Sequence, residues 1–588
     1  MKYTIIADIY ERIEKTTKRL EMTDHLVQLL KQTSKDRLQE VAYLTQGKLY
    51  PDFIGSEMGM AEKMTIVSIA KASGVKKDEV SRLWRKIGDL GTTAEKLLAD
   101  RAYQPTLCHL PETLMVKDVY ETFQKIAHTT GKGSVGKKVN LLTKLLSKAT
   151  PKEAKYLIRT VTGRLRLGIG DMTFLDALSI AFGGGKNARN VVERAYNMSS
   201  DLGLVAKILA EEQLEGIKKV GITVGRPVRP MLCERLTSAK EILEKLGGQG
   251  AAEFKYDGLR IQAHITSKQI TLFSRRLENI TEQFPDIIRA LKTTIKAESA
   301  IVEGECIAIN PDTGEIQPFQ IITQRRGRKH HVEEKAREIP VVLILFDALF
   351  LNGNALIDSP YTDRRAILEN VITQNESVQI ASSVLIDNAD ILDKFMEEAI
   401  EAGCEGLVIK ALGEGSIYQA GARGFQWIKY KRDYKSEMAD TVDLVVVGAF
   451  AGRGRRAGTY GALLMAAYNG KKDSFDTICK LGTGFDDKTL FQLPTILSEY
   501  SIDRRHPRVT SRLKADYWFV PAKILEVRGA ELTLSPTHTC GLNLVKKGVG
   551  LAIRFPRFTG KWREDKAPDD ATTVNEIASM YKSQLKHS

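Results

Sequence analysis

The chain has 588 residues, room for roughly three or four domains of ordinary size, and its 43% hydrophobic and 27% charged content is that of a globular protein with an ample core. A formal charge of +14 points to a polyanionic partner, nucleic acid before membrane. The six cysteines (Cys108, Cys233, Cys306, Cys404, Cys479 and Cys540) form no C-x-x-C pair, which argues against a zinc module or a disulfide framework and for a reducing, cytoplasmic setting. The start, Met1-Lys2-Tyr3-Thr4, leads into a charged amphipathic run rather than a signal peptide, and no apolar run is long enough to cross a bilayer.

Residues 1–220 read as helices. Leu26, Leu29, Leu30 and then Leu38, Val41 and Leu44 recur at helical spacing. The most basic part, Asn140 to Leu167, carries Lys144, Lys148, Lys152, Lys155, Arg159, Arg164 and Arg166. With the tight turn Leu167-Gly168-Ile169-Gly170 it is expected to grip phosphates through side chains and backbone amides. Gly131 to Lys138, GKGSVGKK, spells G-x-x-x-x-G-K but ends in Lys138, where a P-loop needs Ser or Thr. It also follows a helical pattern rather than a strand, so a loop between helices is expected.

Gly221 to Leu232 holds Pro227 and Pro230 between glycines and reads as a linker. Beyond it the texture changes to strands at Glu253–Tyr256, Leu259–Ile265, Ile270–Phe273, Ala300–Ile309, Val341–Leu349, Leu407–Lys410 and Phe425–Lys429. Helical segments at Phe284–Lys296 and Ala389–Ala402 make this an α+β domain. A second change falls near Asp433–Asp440. After it come short strands at Val442–Phe450, Gly461–Tyr468, Thr477–Leu481, Tyr517–Val527 and Leu551–Phe555, the pattern of a small Greek-key barrel of the OB type. Thr573 to Leu585 reads as a closing helix.

The chemistry gathers on Glu253-Phe254-Lys255-Tyr256-Asp257-Gly258-Leu259-Arg260. A lysine is an inert ammonium near neutral pH until burial or a neighbouring cation favours the amine. In a strand Lys255 and Asp257 point the same way, so the carboxylate can orient the amine or hold a metal. Downstream, Ser274-Arg275-Arg276 offers a phosphate fork, and Glu303 and Glu305 place two carboxylates on one strand face. Phe346 can stack on a base. Glu405 to Lys410 ends a strand with a lysine, Lys429 and Lys431 share a strand face, and Lys561-Trp562-Arg563-Glu564-Asp565-Lys566 forms a far cationic cluster. Each alone would pass for a surface charge run; their order after Lys255 argues against chance.

Taken together these motifs resemble, over almost the whole chain, the ATP-dependent DNA ligases of the archaeal and eukaryotic replicative type. The resemblance implies an all-α DNA-binding domain (1–220), an α+β nucleotidyltransferase or adenylation domain (221–435) and a β-barrel OB-fold domain with a C-terminal helix (436–588). It makes Lys255 the lysine that becomes adenylated. Glu253 would read the adenine through its backbone while Phe346 stacks on it, and Arg260, Arg275 and Arg423 would contact the nucleotide. Glu305 would lie near ribose and metal, with Glu405 as a second metal ligand. Lys410, Lys429 and Lys431 belong to the nucleotide site, the last two neutralising the α-phosphate. Arg563 and Lys566 would orient pyrophosphate, which requires the barrel to fold over the nucleotide about a hinge within Asp433–Asp440. ATP and Mg²⁺ are the implied cofactors and nicked duplex DNA the implied partner of a monomer. Gln104-Pro105-Thr106-Leu107 weakly resembles a sliding-clamp contact, and an RNA ligase or capping-type nucleotidyltransferase is the alternative.

Overall fold

The structure, a computed structural model, describes residues 1–102, 113–309, 316–317, 319–328, 330–402, 404–431, 440–452, 458–529, 531–535, 537–545, 547–554 and 556–586. Gln104–Leu107 and all of the expected hinge except Asp440 lie outside the described residues. The chain divides into two compact units, Met1–Val75 with Ala94–Arg432, and Lys76–Thr93 with Asp433–Ser588. Among the described residues no helix is long and apolar enough to cross a membrane, and Cys233, Cys306, Cys404, Cys479 and Cys540 are free thiols.

The first unit opens with helices, as the periodicity predicts. Pro151–Val161 shows why one starts where it does: Pro151 needs no donor at the first position, and Thr150 and Glu153 form a reciprocal capping box. Glu153 also accepts a 2.6 Å hydrogen bond from Thr4, joining this helix to Tyr3–Glu14. The basic stretch is not a free phosphate grip. Lys152 pairs with Asp8 and Glu11 at 3.0 Å, Lys155 and Arg159 both reach Glu14 at 2.9 Å, and Arg164 meets Glu62 at 2.8 Å. Acidic residues far off in sequence neutralise these cations, which sequence reading alone could not see. Lys144 and Lys148 remain exposed. In GKGSVGKK only the first residues are loop; Ser134–Lys148 is already helix, and Lys138 is buried with Nζ donating to the Met58 carbonyl at 2.8 Å.

Two sheets follow. One runs β1 (Leu232–Leu236), β11 (Arg423–Lys431), β10 (Gly406–Lys410), β2 (Gly250–Lys255), β9 (Ser383–Ile386). The other runs β4 (Ile270–Ser274), β3 (Leu259–Thr266), β5 (Ser299–Ala308), β6 (Val341–Leu351), β7 (Asn354–Ala355), with β8 (Val378–Ile380) also on β6. The periodicity found the central strands and missed β1, β7, β8 and β9, which are short or lie at edges. Alternation sorts each strand into two faces. Ala252, Leu407, Ile409 and Ile428 pack outward with the helices Ala239–Lys245 and Ala389–Glu401. Leu259, Ile261, Ala263, Val302 and Cys306 pack outward with Pro285–Thr294. That leaves the alternate residues of β2, β3, β5, β10 and β11, almost all the charged ones, on the two inner faces. Gly221–Leu232 is no loose tether: Val228 and Met231 are fully buried, and the amides of Gly225 and Val228 donate to His264 and Gln262 of β3 at 2.9 and 2.7 Å.

In the second unit β12 (Val442–Ala451) is the spine of a curled sheet. It pairs with β13 (Tyr460–Asn469) along one edge. Along the other it pairs first with β18 (Ile524–Arg528) and then with β17 (Tyr517–Phe519), so the single strand expected at Tyr517–Val527 is split in two. Register shifts at Val446/Gly448 and Phe450/Ala451 bend β12 enough to curl the sheet. β14 (Ser474–Leu481), β15 (Ser501–Ile502) and β16 (Val509–Thr510) extend it. β19 (Glu531–Ser535) and β20 (Gly550–Arg554) form a separate ribbon, β21 (Arg557–Trp562) pairs with β18, and Val574–Lys586 is the closing helix.

Candidate active site

Lys255 ends β2 on its inner face. β10 brings Glu405 to it by pairing Gly406 with Lys255, and the Glu405 amide donates to the Lys255 carbonyl at 2.9 Å. Two glycines make this approach feasible. A Cβ on Gly406, which has φ 138°, would strike the Tyr430 carbonyl, and one on Gly258 would strike the Cys306 carbonyl.

Glu405 Oε2 is ion-paired with two ammoniums, Lys255 Nζ at 2.6 Å and Lys431 Nζ at 2.5 Å. Burial disfavours the charged Glu405, but Lys255 and Lys431 outweigh it and hold its pKa down at about 2. The effect on Lys255 is the reverse of the sequence expectation: burial pulls its pKa down, the Glu405 ion pair more than offsets this, and the net shift is upward. The site keeps its lysine as an ammonium. Burial and the charge of Glu405 push Asp257 up to about 6, while burial above all pushes Glu305 up to about 7. Lys429 is shifted down, first by burial and then by Arg423.

Glu253, Lys410 and Phe346, expected to serve the nucleotide, belong to a second, buried network. Lys410 is 1% exposed; its Nζ donates to the Phe346 carbonyl and meets Glu253 Oε2, both at 2.8 Å. Tyr361 and Arg365 reach Glu253 Oε1 at 2.5 and 3.3 Å. Lys410 therefore ties β2 to β6 from below instead of lining the cleft. Arg260 likewise turns inward, to Glu303 at 2.7 Å and the Met231 carbonyl at 2.8 Å, beneath the rings of Phe346 and Trp427. Phe346 is half-buried, and Arg275 and Arg423 are exposed. Lys255, Glu305, Glu405, Lys429 and Lys431 thus come together, with Asp257 among them. Arg563 and Lys566 belong to the second unit, where both pair with Asp443.

Sequence reasoning gave no role to Tyr361, Tyr418 or Cys233. Tyr418 donates to Glu303 at 2.7 Å and accepts from the Met231 amide at 2.9 Å. No local spacing announces it. Cys233 lies close enough to Arg260, Lys255 and Lys410 to feel their charge, though burial raises its thiol pKa. For magnesium, no ready-made group of three ligands exists among the described residues. The oxygen donors Glu305 and Glu405 nevertheless fit an ion that one or two carboxylates share with water and substrate phosphates.

Paired sheets with a lysine, carboxylates and an aromatic ring on their inner faces, followed by a curled β-domain, define a covalent nucleotidyltransferase with an appended barrel. Family models agree along the chain: "DNA ligase N terminus" matches residues 2–179, "ATP dependent DNA ligase domain" residues 230–431 and "ATP dependent DNA ligase C terminal region" residues 456–566. The chain is 53% identical to "DNA ligase 2" of Thermofilum pendens over all of this chain and 98% of that protein. It is 52% identical to the "DNA ligase" of Staphylothermus marinus over all of this chain and 99% of that protein. The solved structure described as Pmar-Lig_PreS3 shares the fold, with a TM-score of 0.54 at 16% identity over 95% of this chain and 99% of that one. The chain belongs to the ATP-dependent DNA ligase family. It is an ATP-dependent ligase whose substrate is DNA.

Proposed function

We propose that Lys255 is the nucleophile of a three-step nick-sealing reaction. Its amine attacks the α-phosphorus of ATP, and the bond to the β-phosphate oxygen breaks to release pyrophosphate. The AMP then passes to the 5′-phosphate at a nick in duplex DNA. The adjacent 3′-hydroxyl displaces AMP and closes the strand. The observation that carries this reading is the position of Lys255 on an inner sheet face, ion-paired to Glu405 and flanked by Lys431 and Glu305.

Such transfers depend on positioning and on charge placed where it develops. Phe346 stacks on the adenine and the Glu253 backbone reads it, with Lys410 holding those two groups in register. Arg260, Arg275 and Arg423 serve the nucleotide's sugar and phosphates, Arg260 from beneath the Phe346 ring. Lys429 and Lys431 neutralise the α-phosphate, and Arg563 and Lys566 orient the pyrophosphate during the first step. Glu405 must be drawn off Lys255, and the ammonium must give up a proton to water, before the amine can attack. Glu305 and Glu405 are the residues that would hold a magnesium ion together with substrate phosphates, and it would supply compensating positive charge there.

We assign these roles to a monomer with functional boundaries at 1–220, 221–435 and 436–588. In the helical region the exposed Lys144 and the Leu167–Gly170 turn meet DNA phosphates, rather than the ion-paired Lys152, Lys155, Arg159 and Arg164. Incubation with α-labelled ATP should leave a covalent label that is absent from Lys255→Ala. A label persisting in that variant would overturn the assignment.

A further inference from the structure

Arg563 and Lys566 are joined through one carboxylate of their own unit. Arg563 follows β21, and its amide donates to the Ile524 carbonyl of β18 at 3.0 Å. β18 in turn pairs with β12, where Glu526 lies opposite Asp443. Asp443 Oδ2 accepts Arg563 Nη1 at 2.5 Å and Lys566 Nζ at 2.7 Å. The other edge of the guanidinium, Nε and Nη2, donates to Asp565 at 2.9 and 2.7 Å. Asp565 engages the arginine; Asp443 is the carboxylate that both cations share.

Asp443 is itself held firmly. It is 7% exposed, its amide donates to Thr572 Oγ1 at 2.9 Å, and its carbonyl accepts from the Thr572 amide at 2.9 Å. Its second oxygen, Oδ1, is buried and has no hydrogen-bond partner among the described residues. A carboxylate serving stability alone is expected to fill both oxygens when buried. Here one oxygen carries two cations and the other none, an arrangement that sets the spacing of the cations.

We infer that Asp443 is a positioning residue for self-adenylation: it gathers the Arg563 guanidinium and the Lys566 ammonium on one oxygen, so that they meet the leaving pyrophosphate as a pre-spaced pair. This rests on the reading of Arg563 and Lys566 given above. Two cations brought to one pyrophosphate repel each other, and a carboxylate between them offsets that repulsion. Lysine also has a long stem with many rotamers, and a fixed anchor removes that freedom before the nucleotide arrives. Arranging the charges in advance is what makes them effective in the transition state.

The test uses full-length wild-type, Asp443→Asn and Arg563→Ala proteins. Three rates are measured: self-adenylation at saturating ATP, discharge of the lysine–AMP by added pyrophosphate, and sealing of a pre-adenylated nick by enzyme free of AMP. Asn keeps the shape of Asp443 and removes its charge. It should slow adenylation and pyrophosphate discharge by the same factor, roughly 10- to 100-fold, because the two share a transition state, and leave sealing within about twofold. Sealing by the same preparation also shows that the variant is folded. Wild-type adenylation in Asp443→Asn, or an equal loss in all three reactions, would overturn the inference. Normal adenylation by Arg563→Ala would instead remove the underlying reading. A slow Arg563→Ala beside a normal Asp443→Asn would remove the role of Asp443 alone.

Discussion

Replacing Lys410 by Met asks whether the buried network under Phe346 holds the nucleotide strands together. The substitution removes the ion pair with Glu253, whose partners are 1% and 3% exposed, and the hydrogen bond to the Phe346 carbonyl. Methionine keeps most of the stem, so little cavity forms. Removing one partner of a buried pair costs about 3–5 kcal/mol, mostly because the other charge is stranded. Tyr361 and Arg365 still serve Glu253 Oε1, which places the cost near the lower end. About 3 kcal/mol corresponds to roughly a 150-fold rise in a local opening constant. Hydrogen exchange read by mass spectrometry over residues 250–255 and 406–410 should show that acceleration, with the second unit unaffected. Adding Glu253→Gln removes the stranded charge and should recover about 1.5 kcal/mol, roughly tenfold in exchange. Exchange within threefold of wild type in Lys410→Met, or a double variant that simply adds the two single effects, would refute this account.

Three further outcomes are expected. Glu305 is raised to about 7 in the folded chain, first by burial, against about 4.3 unfolded. Its penalty is therefore absent below pH ~4.3, grows while only the unfolded state ionises, and is complete above about 7. Allowing for its partial exposure, Glu305→Gln should stabilise the protein by about 2 kcal/mol at pH 8 and by nothing measurable at pH 4; equal shifts at both pH values in thermal melts would contradict this. Glu405→Gln removes what raises the Lys255 pKa. Without nucleotide, covalent labelling of Lys255 by an amine reagent should set in at lower pH than in wild type, as followed by mass spectrometry. Arg159→Met breaks the pair with Glu14 and should cost about 2–3 kcal/mol in stability. It should leave the slope of log DNA affinity against log salt unchanged, since that slope counts phosphate contacts; a slope lower by about 1 would return Arg159 to the DNA-contacting set.

What could be read from the chain alone was local. Strand alternation placed Glu303 and Glu305 on one face of β5 and Lys429 and Lys431 on one face of β11, because side chains alternate wherever the chain is extended. The order of motifs along the chain was enough to recognise the family. What the tertiary structure decided was which charges remain for chemistry. Lys410 and Arg260 looked like cleft residues until folding set Glu253 and Glu303 against them. Lys155 and Arg159 looked like a phosphate grip until Tyr3–Glu14 laid Glu14 across them. The same holds for Lys255: burial alone would have favoured its amine, and Glu405, brought in by β10, makes it an ammonium. A charge acts through whatever stands a few ångströms away, and that neighbour comes from another part of the chain.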